Sequence, residues 1–302
     1  MGEYIRSPLI RLMYEKLDHQ NKHSNSNHDY WYDYRAEYVD FELRNKFIKS
    51  NQDEETCKFL ETCYIKSDWL FTHFYHAIAK AVLTWFMTST SINGLVGRGS
   101  MFVFSSAQFL RLLDVDNDYK TNSLLDLGAG DGNVTLKMAP YFKDIFVTEI
   151  SPVMRWRLTK HGFTILDVDS WDKMNAPEVP THFDVISCLN LLDRCTAPIT
   201  LLKRIHKALK PTTGVLILGI VLPLKQYVET TRDQRPTEVL DINDSELWEI
   251  QLSSLIKNIL TPANFHVVRW TRLPYLCEGD FSKSFYYLNE IVLVLQTSVS
   301  GA

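Results

Sequence analysis

The stretch Leu124-Leu125-Asp126-Leu127-Gly128-Ala129-Gly130-Asp131-Gly132-Asn133 constrains this chain more than any other. An apolar run that ends in Asp and breaks into three alternate glycines reads as a strand running into a ligand-binding turn. Gly128 and Gly130 let the backbone turn tightly and approach a ligand where a Cβ would collide, with the amides of the following helix N-terminus facing that ligand. A dinucleotide fingerprint requires a further glycine at position 133, and Asn133 stands there instead. A nicotinamide-dependent oxidoreductase is therefore disfavoured.

Beyond this turn the chain alternates strand and helix, which predicts an α/β fold with a parallel sheet covered on both faces. Strands are expected at 124–127, 144–148, 164–168, 183–189 and 215–222, with closing strands at 265–270 and 287–295. An amphipathic helix is expected over 198–209, with Pro198 in its first turn and Leu201, Leu202, Ile205 and Leu209 on one face. His206 borders that face as a structural residue. Another helix should start at the capping box Asn243-Asp244-Ser245-Glu246 and turn Trp248, Leu252, Leu255 and Ile259 inward. The pattern Asp-x-Gly-x-Gly-x-Gly resembles the first motif of the class I S-adenosylmethionine-dependent methyltransferases. That resemblance implies a Rossmann-like, seven-stranded sheet.

Residues 1–33 read as a flexible polar arm, in which His19, His23 and His28 fit no standard metal spacing and are expected to be solvated. Residues 34–113 read as a helical extension packing on the core. Apolar residues recur at helical spacing over 34–50 and 55–87, including Trp69, Leu70, Phe74, Ile78 and Val82, with Ser67-Asp68 as a cap for the later helix. A loop with Gly94, Gly97 and Gly99 around Arg98 follows, and Arg98 could meet a carboxylate there as readily as the glycines could merely turn the chain. A short helix at 108–113 then leads into the methyltransferase-like domain at 114–302.

A formal charge of −4 supplies no basic face, so nucleic acid is not an expected partner. The five cysteines form no C-x-x-C pair, which favours a reducing compartment. The first residues lack the apolar core of a signal peptide, and 77–87 is too short an apolar run to span a bilayer. A cytoplasmic monomer without a transmembrane segment is the plain expectation, and no metal is required.

In a doubly wound sheet the ligand lies beyond the carboxyl ends of the strands, where strand order reverses. Four segments converge there. They are the turn, with Asp126, Gly128, Gly130 and Gly132; Glu149, whose carboxylate suits two ribose hydroxyls; 166–171, where Asp169 or Asp167 could take an adenine amino group; and 188–195. The last lacks the Asn/Asp-Pro-Pro-Tyr of methyltransferases acting on nucleobase or glutamine amines. It leaves Asn190 and Asp193 as the polar groups positioned to hold a nucleophile, although Asp193 could instead pair with Arg194.

The runs at 124–135, 184–195 and 271–280, with Ser91-Ile92-Asn93-Gly94-Leu95 and 98–105, resemble the DREV family, also called methyltransferase-like protein nine. The similarity covers nearly the whole chain beyond the arm. It implies a protein-histidine N-pros-methyltransferase that uses S-adenosylmethionine and acts on proteins carrying His-x-His motifs with x small. On this reading Asp193 orients the imidazole, Asn190 assists and also meets the cofactor, Tyr275 closes the pocket, and Arg98 joins the cofactor contacts. Family resemblance also offers the endoplasmic reticulum or mitochondrion as alternative locations. The rivals are a methyltransferase of small molecules or RNA and a catalytically silent binding protein.

Overall fold

A computed structural model describes residues 10, 11, 14, 17, 18, 28–68, 100–173, 179–228, 233–279 and 283–298. The strands run β1 Met101–Phe102, β2 Thr121–Leu127, β3 Phe142–Thr148, β4 Thr164–Leu166, β5 Val185–Leu189, β6 Val215–Val221, β7 Phe265–Glu278 and β8 Phe285–Thr297. They form one sheet in the order β1-β7-β8-β6-β5-β2-β3-β4. The middle is parallel, and β8 turns antiparallel against β6. Neighbouring side chains leave opposite faces, as strand geometry requires. Leu125, Ile186 and Leu218 enter one apolar cluster, whereas Leu124, Val185 and Ile217 enter the other. Helices α4 (Pro198–Ala208) and α5 (Trp248–Leu255) cover the first face, and α1 (Glu54–Asp68) and α2 (Ser106–Leu113) lie on the second. Helix α3 (Pro152–Lys160) links β3 to β4.

Among the described residues the sheet has eight strands where seven were expected. Strand β7 continues past Trp270 to Glu278, and its buried Leu273, Tyr275 and Leu276 carry the sheet onward with an edge to cover. Met101 and Phe102 cover it by pairing with Cys277 and Leu276. Lower down, Phe47 bridges Trp270, so 34–50 is not the continuous helix its spacing suggests. That segment holds a 3-10 turn at Ala36–Tyr38 and one α-turn at Phe41–Arg44.

The end of the predicted arm is packed, not solvated. Trp31 and Tyr32 are each 1% exposed, and His28 stacks on Trp31 at 3.9 Å while its Nδ1 meets Gln52 Oε1 at 3.0 Å. Burial lowers the His28 pKa, with the Gln52 bond opposing. The Arg272 guanidinium staples this segment to the sheet through the Tyr30 and Asp33 carbonyls, both at 2.6 Å. His19, His23 and the helix predicted within 69–87 lie outside the described residues.

Ser67 and Asp68 lie in α1, where Ser67 Oγ donates to the Tyr64 carbonyl at 2.8 Å, and the later helix they were expected to cap falls outside the described residues. One helix start differs from expectation. The Asn243–Glu246 box does not form, because Ser245 Oγ accepts from the Leu247 amide and α5 begins only at Trp248. The capping box that does form is Ser105 with Gln108, on α2. No helix among the described residues is long and apolar enough to cross a membrane.

Candidate active site

The chain runs outward from β2 through β3 to β4, then returns to place β5 on the other side of β2. The crevice of this reversal lies at the carboxyl ends of β2 and β5, where the glycine turn and Asn190 emerge. Gly128, Gly130 and Gly132 have φ of +72°, +57° and +83°, a region that side chains rarely adopt. The amides of Gly128 and Ala129 both donate to the Thr148 carbonyl at 3.0 Å, which ties the turn to the end of β3. The helix after the turn is a single turn, Thr135–Met138, so the loop carries the work expected of a longer helix end.

Asp126 is a brace and not an open ligand contact. Its two carboxylate oxygens accept from Thr135 Oγ1 and Ser187 Oγ, both at 2.6 Å, and the residue is 3% exposed. Burial pushes its pKa up to about 6 against those two hydroxyls. Glu149 is better placed. Its Oε2 accepts from the Gly130 amide at 3.0 Å and its Oε1 from the Ser151 amide at 2.8 Å. Each carboxylate oxygen has a second lone pair, so the group is oriented while still able to accept from a ligand.

Of the two acids left open after β4, Asp167 is engaged in its own turn. Its Oδ1 accepts from the Asp169 amide, the Ser170 amide and Ser170 Oγ at 2.9–3.1 Å. Those bonds, the Ser170 hydroxyl first, hold its pKa below the usual value. Asp169 is exposed, and its carboxylate takes no hydrogen bond among the described residues, which leaves it as the available acceptor. Arg98 lies outside the described residues.

Beyond β5, Asn190 takes a left-handed backbone, φ +54°, with its amide on the Gly219 carbonyl at 2.9 Å. Asn190 Oδ1 and Asp193 Oδ1 are both buried without a hydrogen-bond partner among the described residues. Asp193 Oδ2 takes only a long contact from Arg194 Nε, 3.4 Å, and burial raises the Asp193 pKa with Arg194 opposing. Tyr275 is buried with its hydroxyl on Met101 Sδ, and Met101 Cε lies 4.0 Å from where a Gly130 Cβ would stand. Met101 thus links Tyr275 to the glycine turn. The charges that act on Tyr275 include Glu290, Arg194 and Asp193, so the three predicted catalytic residues belong to one neighbourhood.

Sequence reasoning missed Glu290 and Gly219. Glu290 is fully buried, accepts from Asn190 Nδ2 at 2.8 Å, and keeps Oε2 without a partner. An acid inside the apolar run of β8 and a lone glycine inside β6 were the available signals.

The arrangement fits S-adenosylmethionine. Its ribose hydroxyls, ammonium and sulfonium need acceptors and negative charge, and the site offers Glu149 and Asn190 Oδ1 around a turn with glycine at 128, 130 and 132. Together the sheet order and this site define a class I S-adenosylmethionine-dependent methyltransferase. The DREV methyltransferase family model matches residues 31–297, and the chain belongs to that family. Among curated proteins it is similar to a ubiquinone biosynthesis O-methyltransferase of Aliivibrio fischeri, 25% identical over 173 residues, covering 50% of this chain and 74% of that protein. Among solved structures it is similar to the N-methyltransferase NodS of Bradyrhizobium japonicum in complex with S-adenosyl-L-homocysteine, at 19% identity and TM-score 0.39, covering 64% of this chain and 85% of that one. YcgJ of Bacillus subtilis gives 13% identity and TM-score 0.40, covering 61% and 95%. At such scores the structural likenesses carry no further argument.

Proposed function

We propose that this methyltransferase modifies the N-pros nitrogen of histidine in protein His-x-His motifs with a small middle residue. The observation that carries the reading is the pair of unpartnered acceptors, Asp193 Oδ1 and Asn190 Oδ1, at the end of β5. The resemblance of 184–195 and 271–280 to protein-histidine methyltransferases supports it.

S-adenosylmethionine, when bound, supplies the electrophilic methyl group. An imidazole has a pKa of about 6.5, so near neutrality it is largely uncharged and already nucleophilic. The protein must supply tautomer and aim. Asp193 accepts a hydrogen bond from the N-tau N–H, which leaves the N-pros lone pair as the nucleophile, and its charge stabilises the imidazolium that results. No proton has to leave the ring during transfer. Asn190 Oδ1 adds a second acceptor, and Tyr275 with Met101 closes the wall between this point and the glycine turn. A groove of about 570 Å³, lined by Phe59, Phe102, Asn133 and Lys137 among others, has Met101 in its wall.

The test is transfer of a radiolabelled methyl group to a His-Ala-His peptide, a His-Ala-Ala control and total RNA. Label in the first and little in the others is expected. Label in RNA with none in the peptide would sink the reading.

A further inference from the structure

Glu290 lies in β8 between Asn289 and the fully buried Ile291 and Val292. A carboxyl group there is costly unless the fold provides for it. Two provisions surround it. Gly219 of β6 leaves its space, because a Cβ at that position would stand 2.5 Å from Glu290 Oε1. Asn190 donates through Nδ2 to the same oxygen at 2.8 Å.

We propose that Glu290 is a positioning residue for methyl transfer, which holds the Asn190 amide with Nδ2 inward so that Oδ1 is presented as an acceptor. The two ends of an Asn amide have opposite hydrogen-bonding character, so a half turn of that group would replace an acceptor at the site with a donor. The left-handed Asn190 backbone sets where the amide sits, and Glu290 Oε1 sets which way round it stands. Burial pushes the Glu290 pKa up to about 8, with the Asn190 bond opposing and the nearby Asp193 charge adding to the rise. Tyr275 and Cys277 on β7 also face it.

The inference rests on the acceptor role given to Asn190 above, but not on histidine being the methylated group. It is tested on the full chain with Glu290→Gln, Glu290→Met and Gly219→Ala, the last of which displaces Glu290 without altering any polar group. The first readout is hydrogen exchange of the Asn190 side-chain amide by nuclear magnetic resonance. Exchange should be slow in wild type and Glu290→Gln and faster by about tenfold or more in the other two, the loss expected for one buried hydrogen bond.

In turnover, Glu290→Gln should stay within about threefold of wild type, while Glu290→Met and Gly219→Ala lose about tenfold or more in kcat. Unchanged Asn190 exchange in Glu290→Met would overturn the proposal. Should wild type leave the His-Ala-His peptide unlabelled while the exchange result holds, the substrate reading falls and the role of Glu290 stands for another methyl acceptor.

Discussion

Gly130 donates its amide hydrogen to Glu149 at 3.0 Å, so the glycine turn and the acid that ends β3 are joined before any ligand arrives. The second oxygen of Glu149 caps the start of α3 through Ser151. This makes the carboxylate a fixed acceptor, held by two amides. Replacing it with Gln turns one donor toward another, because the amide nitrogen must face Gly130 or Ser151. Hydrogen bonds to charged groups are worth roughly 1.5–3 kcal/mol, so Glu149→Gln should weaken S-adenosylhomocysteine binding by about tenfold or more. Calorimetric titration measures this, and an unchanged affinity would contradict the assigned role.

Gly132 should be intolerant of any side chain. Its φ is +83°, and a Cβ would meet Leu158 Cδ2 at 2.9 Å and the His161 ring at 3.2 Å, both on the packed α3 side of the turn. The left-handed backbone alone costs roughly 1–2 kcal/mol for an L-residue. Gly132→Ala should therefore lower Tm by several degrees in scanning calorimetry. Retention of the wild-type Tm would mean that α3 gives way more easily than its packing suggests.

Asp193→Asn keeps shape and removes charge. If Asp193 selects the imidazole tautomer, kcat on a His-Ala-His peptide should fall on the order of a thousandfold or more, as for an Asp that orients a catalytic histidine. Cofactor affinity should change by less than about threefold, since the contacts assigned to binding lie elsewhere. Activity within about tenfold of wild type would remove the tautomer mechanism.

The buried acids make a prediction about stability and pH. Glu290 rises from the usual 4.5 to about 8 on folding, and Asp126 from 3.8 to about 6. For an acid raised on folding, the unfolded chain releases its proton first. The stability it contributes is present below the unfolded pKa and is lost as pH rises through the folded pKa. Wild type should therefore lose Tm relative to Glu290→Gln between about pH 4.5 and pH 8, with the gap level above that. A gap that stays constant from pH 5 to pH 9 would show that Glu290 does not titrate in this window.

What the sequence made legible was what depends on local pattern. The parallel strands appear as continuous apolar runs, and Glu149 falls one strand and one turn beyond the glycines, so the meeting of the turn with the end of β3 could be read in advance. Features that depend on distant register could not. Met101 and Phe102 become a strand only because Cys277 and Leu276 offer an edge. The burial of Trp31 needs Phe285 and Tyr287, which β8 supplies from the far end of the chain. Glu290 was visible as an acid in an apolar run, but its partners Asn190 and Gly219 emerge only once β5, β6 and β8 lie side by side. The Asn243–Glu246 pattern misled for the opposite reason: it has the residues of a capping box, but Ser245 binds the Leu247 amide instead.

The central claim is that Asp193 chooses which imidazole nitrogen receives the methyl group. The direct measurement is hydrolysis of the methylated His-Ala-His product, followed by chromatography and mass spectrometry that separate N-pros-methylhistidine from N-tau-methylhistidine. Wild type should give N-pros-methylhistidine alone, and the residual product of Asp193→Asn should contain both isomers. N-tau-methylhistidine as the main wild-type product would contradict the account.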